Sequence, residues 1–211
     1  IYQRLVSFYN SFLEKLLFPR TKAFVAISHS IEKEIKSITK DPSTLITIIH
    51  HAPDEVQSET KVDSPLRLLF VGALERKGIE KSLRLLSHFK STDFIFDVVG
   101  PGNIAHWKKY SNDLGLQDKV IFHGMKPSFQ FFAKAHLFLF PSTYEPFGLV
   151  VSEAASFHCL PLASNECGAM ELWPTRPDWL NLSALDNDQL WLNALEKLLT
   201  SPELLKTHSD N

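Results

Sequence analysis

Pro141-Ser142-Thr143-Tyr144-Glu145-Pro146-Phe147-Gly148-Leu149-Val150-Val151-Ser152-Glu153-Ala154 follows directly on the apolar run His136-Leu137-Phe138-Leu139-Phe140. The run reads as a buried strand, which Pro141 and Ser142 break. After the polar turn that carries Glu145, apolar residues return at helical spacing. Phe147, Val150, Val151 and Ala154 share one stripe, so the spacing predicts a helix starting near Phe147 or Gly148. A strand, a turn and a glycine-containing helix start offer unpaired N–H groups and a positive dipole end to an anion. Glu145 sits before this helix and Glu153 in its second turn, eight positions on. The two carboxylates can approach one ligand from different sides and bind hydroxyls while the helix start binds phosphate. The alternative is an amphipathic helix with a solvated first turn.

Other strand-and-helix units surround this one. Ala23–Ile27 reads as a strand, Ser28–Lys40 as a helix capped by Ser28 or Ser30, and Leu45–Ile49 as a second strand. His50 and His51 fall in the turn that follows, and 55–64 is polar enough for a linker. From Leu66 the alternation is regular. Strands are expected at Leu66–Val71, Phe94–Val99, Val120–Phe122, 136–140 and Leu160–Ala163. Helices are expected at Ile79–Phe89, Ala105–Leu116, Phe129–Ala135 and 147–158, with a last one through Leu199 capped by Ala184 or Asp186. Short apolar strands alternating with helices predict an α/β fold with a Rossmann-like, doubly wound parallel sheet. Glycine and polar residues gather at the strands' C-terminal ends, where such sheets bind ligands. Residues 2–17 carry apolar side chains at 3-and-4 spacing and predict a core-facing amphipathic helix; its polar face has too few cations for a membrane surface.

Composition narrows the function. In 211 residues, 44% are hydrophobic and 22% charged, and the formal net charge is −2, so no global basic field argues for nucleic acid. No apolar run approaches the length of a membrane span, and the start has no signal-peptide layout. Two cysteines, Cys159 and Cys167, give no disulfide framework and suit a reducing cytosol. With no zinc spacing they are expected to be small packed residues. The chain opens on Ile1 in mid-helix and reads as a piece of a longer protein.

Glu145-Pro146-Phe147-Gly148-Leu149-Val150-Val151-Ser152-Glu153-Ala154, with Pro141-Ser142 before it, closely resembles the E-x7-E signature of retaining, nucleotide-sugar-dependent glycosyltransferases of the GT-B fold (glycosyltransferase family 4). Phe70-Val71-Gly72-Ala73-Leu74-Glu75-Arg76-Lys77-Gly78 resembles the family's F-V-G-R-L-x-x-x-K-G turn, with Ala73 in place of the usual Arg and one residue fewer. Arg76, beside Lys77, is the candidate substitute. Gly100-Pro101-Gly102-Asn103, Val120-Ile121-Phe122-His123-Gly124-Met125 and Glu166-Cys167-Gly168-Ala169-Met170-Glu171 resemble three further family turns, with Cys167 where a glycine is usual.

The resemblance implies that 59–211 is the nucleotide-sugar-binding domain and 1–58 the end of an acceptor-side domain with its linker. It implies a hexosyltransferase-type enzyme of glycan, lipopolysaccharide or glycolipid biosynthesis that moves a sugar to an acceptor hydroxyl with retention of configuration. Glu145 and Lys77 are the catalytic candidates. The donor site comprises Gly72, Lys77, Met125, Glu145, Phe147, Gly148, Leu149, Val150 and Glu153. Glu145 would hold donor-sugar hydroxyls, the N–H groups of Phe147 to Val150 sugar and phosphate oxygens, and Glu153 the ribose hydroxyls. Lys77 would neutralise the diphosphate, and the backbone beyond β-residues 120–122, at Met125, would hold the base edge. The implied partners are a UDP-, GDP- or ADP-linked donor and a sugar or lipid-linked acceptor. No cofactor or metal is expected, and the implied location is cytoplasmic, with peripheral membrane contact through the part of the N-terminal domain missing from this chain. Asp186-Asn187-Asp188 spells the metal-binding D-x-D of a different glycosyltransferase fold, but it precedes an apolar-periodic helix and N-capping explains it better. His123 and His136 are expected to be satisfied structural residues. A degenerate, non-catalytic nucleotide- or sugar-binding module and an interaction module are the alternatives outside the enzyme class; an epimerase is a lesser one within it.

Overall fold

The structure, a computed structural model, describes residues 16–51, 53, 65–201 and 203–205. The helix expected at 2–17, apart from its last two residues, and the linker at 55–64 lie outside the described residues. The chain divides into two compact units, Ile1–His51 and Ala52–Asn211.

The first unit contains β1 (Ala23–Ala26), α1 (His29–Thr39) and β2 (Leu45–Ile48). The strands pair in parallel, Ala23 opposite Leu45 through Ala26 opposite Ile48, as a βαβ unit requires. Ser28 takes up extended backbone and its Oγ accepts from the Ile31 N–H at 3.3 Å, which makes it the N-cap. His50 and His51 follow β2 and are partly or fully exposed.

The second unit holds a five-stranded parallel sheet in the order β5-β4-β3-β6-β7, built from β3 (Leu66–Val71), β4 (Phe94–Val99), β5 (Val120–Gly124), β6 (Leu137–Phe140) and β7 (Leu160–Ala163). The intervening helices are α2 (Ile79–Leu86), α3 (Ile104–Asp113), α4 (Phe129–Phe132) and α5 (Leu149–Ser156), followed by α6 (Asp188–Thr200). Every residue of β6 and β7 is buried, which is why these segments read as continuous apolar runs rather than alternating ones. Phe70, Phe138 and Phe140 pack ring against ring across β3 and β6, at 5.8 and 5.3 Å between centroids.

The chain starts this sheet at β3, builds outward through β4 to β5, then returns to place β6 on the other side of β3. The order therefore reverses between β3 and β6. In an open α/β sheet the strand ends at such a reversal part to leave a crevice for ligands.

Several element ends differ from expectation. α3 spans Ile104–Asp113 and gives way before Gly115, whose left-handed φ of 77° ends it. α4 is a single turn, and the expected helix at 79–89 closes with a 3-10 turn, Ser87–Phe89. The last helix is capped neither by Ala184 nor by Asp186. Asn187 is the cap, its Oδ1 accepting from the Leu190 N–H at 3.4 Å. Asp186 instead accepts from the Ser183 N–H at 2.7 Å.

Candidate active site

β3 and β6 lie side by side, with Leu68 opposite Leu137 and Leu69 opposite Phe138, so the turns that leave their C-terminal ends are neighbours. The turns touch at Gly78. A Cβ there would stand 2.4 Å from the Pro141 carbonyl oxygen, and its φ of 87° is one that L side chains rarely adopt. Only glycine allows this approach. It brings the β3–α2 turn, with Lys77, against the β6–α5 turn, with Glu145.

Lys77 does not face solvent. Its stem runs past Gly72, where a Cβ would meet Lys77 Cγ at 3.1 Å, and its Nζ forms an ion pair with Glu145 Oε2. The two side chains keep 21% and 17% of their exposure, shielded but within reach of a ligand. Glu145 is held through its backbone. Its N–H donates to the Glu166 carbonyl at 3.1 Å and its carbonyl accepts from the Gly168 N–H at 3.1 Å. The Phe147 carbonyl accepts from the Ala169 N–H at 2.6 Å, and Phe147 itself is buried. The turn expected at Glu166–Glu171 takes 3-10 form over Gly168–Leu172 and serves as a splint for the Glu145 loop, a role not foreseen from sequence.

Helix α5 begins immediately after, at Leu149. Its cap residue Gly148 has φ 89° and no side chain to satisfy the first N–H groups. Leu149 is half exposed and Val150 partly so, which leaves the helix start open to an anion. Glu153 is partly buried one turn on, and burial alone pushes its carboxyl pKa up.

The remaining expected residues take other places. Met125 lies just beyond β5, at the C-terminal end of the strands, and the residue is 80% exposed. Arg76 is exposed and takes no part in the Lys77–Glu145 pair. Its neighbour Glu75 has a role that sequence reading missed. Glu75 Oε1 accepts from the Asn103 N–H at 2.6 Å, and that bond holds its carboxyl pKa down. The contact fastens the Lys77 turn to Gly100–Asn103, assisted by Leu74 N–H to the Pro101 carbonyl at 3.0 Å. Glu166 braces the other side, accepting from Ser183 Oγ and, at 2.8 Å, from the Ala184 N–H.

Cys159 and Cys167 are both buried, as expected of packed residues. Burial pushes the Cys167 thiol up to about 12, far from a reactive thiolate. His123 Nε2 contacts Asp97 Oδ1 at 2.7 Å, and His136 Nδ1 accepts from the Arg67 N–H at 3.0 Å, so both histidines are engaged in structure. Asp188 receives Arg84 Nε at 2.7 Å and Nη2 at 3.2 Å. Among the described residues no three His, Cys, Asp or Glu side chains gather as metal ligands, and no helix is long and apolar enough to cross a membrane.

A parallel α/β domain places a lysine, a carboxylate and an open helix start together at its topological switch, the position where such sheets bind ligands. Comparison with known proteins shows the family. The family model of glycosyl transferases group 1 matches residues 52–211, and the chain belongs to that family. It is 26% identical over 179 residues to glycogen synthase 1 of Synechocystis sp., covering 77% of this chain and 38% of that protein. An uncharacterized glycosyltransferase of Methanocaldococcus jannaschii is 25% identical over 169 residues, covering 70% and 43%. Among solved structures, S. aureus TarM in complex with fondaparinux, alpha-GlcNAc-glycerol and UDP superposes with a TM-score of 0.80 at 14% identity, over 95% of this chain and 41% of TarM. The chain therefore spans about four tenths of the length of these relatives.

Proposed function

We propose that this chain is the donor-binding part, with the end of the acceptor-side domain, of a retaining glycosyltransferase of family 4. The observation that carries the reading is the meeting of Lys77 and Glu145 beside the open start of α5. In this reading the diphosphate of a nucleotide-sugar lies between Lys77 and the N–H groups of Phe147 to Val150. Glu145 binds hydroxyls of the donor sugar, and Glu153 those of the ribose. Gly72 leaves room for the Lys77 stem to run past the turn toward the phosphates, and main-chain groups at Met125 meet the base. UDP in the TarM structure supports a nucleoside diphosphate as the leaving group.

The reaction breaks the bond from the anomeric carbon to the diphosphate and forms one to the acceptor oxygen on the same face. The acceptor's proton passes to the departing phosphate. Charge builds on that phosphate, and the lysine with the helix dipole stabilises it without a metal. Neither glutamate acts as a nucleophile, unlike the paired carboxylates of glycoside hydrolases. A sugar or lipid-linked acceptor would bind through the acceptor-side domain, in the cytoplasm or at the inner face of its membrane. Because the chain spans a minority of its relatives' length, it should bind nucleotide alone yet turn over little.

Ala73 and Cys167 favour a second reading, a nucleotide- or sugar-binding module that has lost catalysis. The deciding experiment is a thermal-shift titration with UDP, GDP, ADP and their sugar conjugates, beside Glu153→Ala. A shift with one nucleotide that Glu153→Ala abolishes supports the donor site. No shift from a folded chain counts against it. Sugar transfer by the longer protein then separates the enzyme from the module.

A further inference from the structure

A cavity of about 420 Å³ is walled by residues of edge strand β7 and of the segment 170–180, and neither Lys77 nor Glu145 lines it. Its apolar wall includes Leu160 and Pro161 of β7, Met170, and Trp173; Arg176 and Thr175 are its polar members. The volume falls within the range of roughly 300–1,000 Å³ typical of small-molecule sites.

Arg176 is the unusual member. Its guanidinium carries five N–H donors. Nη1 donates to the Met170 and Trp173 carbonyls, both at 2.8 Å, and Nη2 to Asn165 Oδ1 at 2.6 Å and Asn181 Oδ1 at 3.1 Å. All four acceptors are neutral, and no described carboxylate pairs with this cation. The fifth donor, Nε, is shut off from bulk water and has no acceptor among the described residues. A buried donor left in this state is costly, and an acceptor that reaches it recovers that cost. Partial burial also holds the guanidinium pKa down.

We propose that this cavity binds a small monocarboxylate with an apolar body, its carboxylate turned to Arg176 and its body against Leu160, Pro161, Met170 and Trp173. One carboxylate supplies the negative charge that the guanidinium lacks among its described partners. A phosphoryl dianion would ask for several donors, and four of the five here are already engaged. The apolar wall suits an alkyl or aryl group and disfavours a sugar. The occupant would touch the Gly168–Leu172 turn through Met170, the same turn whose first N–H groups hold the Glu145 and Phe147 carbonyls.

The test is an NMR titration of the whole chain with octanoate, octan-1-ol and octyl phosphate, following the Trp173 indole and Met170 methyl signals. Octanoate should shift both saturably and bind at least tenfold tighter than octan-1-ol. Arg176→Gln should remove that preference. Because Arg176 also ties four oxygens together, the comparison of the three probes on the unaltered chain decides by itself. Equal binding of the alcohol reduces the site to an apolar cleft and overturns the proposal. Tighter binding of the phosphate, or no saturable shift at these two residues, overturns it as well. None of these outcomes depends on whether a nucleotide binds at Lys77.

Discussion

Lys77 Nζ and Glu145 Oε2 form an ion pair across 68 residues of chain, joining the turn that leaves β3 to the turn that leaves β6. In the proposed donor complex the lysine meets the diphosphate and the glutamate meets the sugar, so the pair sets both groups in place before the ligand arrives. Lys77→Met should therefore weaken a nucleoside diphosphate roughly tenfold or more, given about 1.5–3 kcal/mol for a hydrogen bond to a charged group. The corresponding nucleoside, which lacks phosphate, should bind almost unchanged. Calorimetric titration of both ligands checks this; an equal loss for the two would show that Lys77 supports the fold rather than the phosphate.

Gly78 lets those two turns approach, and its replacement should be felt at both. Gly78→Ala places a methyl 2.4 Å from the Pro141 oxygen on a backbone with φ 87°. We expect a loss on the order of 1–3 kcal/mol, the usual cost of such a strained conformation. The melting temperature of this unit should fall by several degrees. Thermal unfolding followed by circular dichroism reads it directly, and an unchanged midpoint would mean that the turns are free to separate.

The sheet was legible in the sequence because parallel strands buried on both faces leave uninterrupted apolar runs, as at Leu137–Phe140. The helix after Gly148 was legible from its spacing and its glycine. What escaped was set by distant contacts. Nothing local announces that Lys77 will turn to Glu145, or that Glu75 will cap the Asn103 N–H. The 3-10 turn Gly168–Leu172 has no periodicity to detect, since carbonyls of a remote loop shape it. Asp186, Asn187 and Asp188 can all cap a helix. The choice of Asn187 goes with the burial of Trp191, whose Nε1–H reaches the Ser183 carbonyl at 2.8 Å.

Asp188 pairs with Arg84 in a two-bond contact, and Lys81 lies 3.6 Å away. The Arg84 hydrogen bond is the largest influence on Asp188 and holds its carboxyl pKa below the usual 3.8. A carboxylate with a lowered folded-state pKa adds stability that is present above its unfolded pKa and lost as pH falls through the folded one. Asp188→Asn should thus cost up to about 1 kcal/mol at pH 7, the range for a partly exposed pair. The difference from the unaltered chain should close as pH drops below 3.8. Melting curves from pH 3 to 7 would reveal it, and a gap that stays constant with pH would count against the ion pair.

The two cysteines give a sharp chemical test. With Cys159 and Cys167 buried and the Cys167 thiol pushed up to about 12, the native chain should react very slowly with a thiol reagent at pH 8. Two equivalents should react at once in denaturant. Rapid labelling of Cys167 in the native state would mean that the turn holding Glu145 opens readily.

Glu153 sets function against stability. Burial raises its folded-state pKa above 4.5, so the folded chain binds more protons than the unfolded chain between those two values. Stability at this site is then greatest at low pH and falls as pH rises through the folded value. Glu153→Gln removes the buried charge without changing the side chain's size. The variant should melt higher than the parent at pH 7, and the advantage should vanish near pH 4, where both states of the parent hold the proton. If Glu153 binds ribose, the same substitution should weaken the nucleotide, because a neutral amide accepts more weakly than a carboxylate. A rise in melting temperature with a fall in nucleotide affinity would mark a carboxylate kept for binding at the expense of the fold. A fall in both would assign Glu153 to the structure instead.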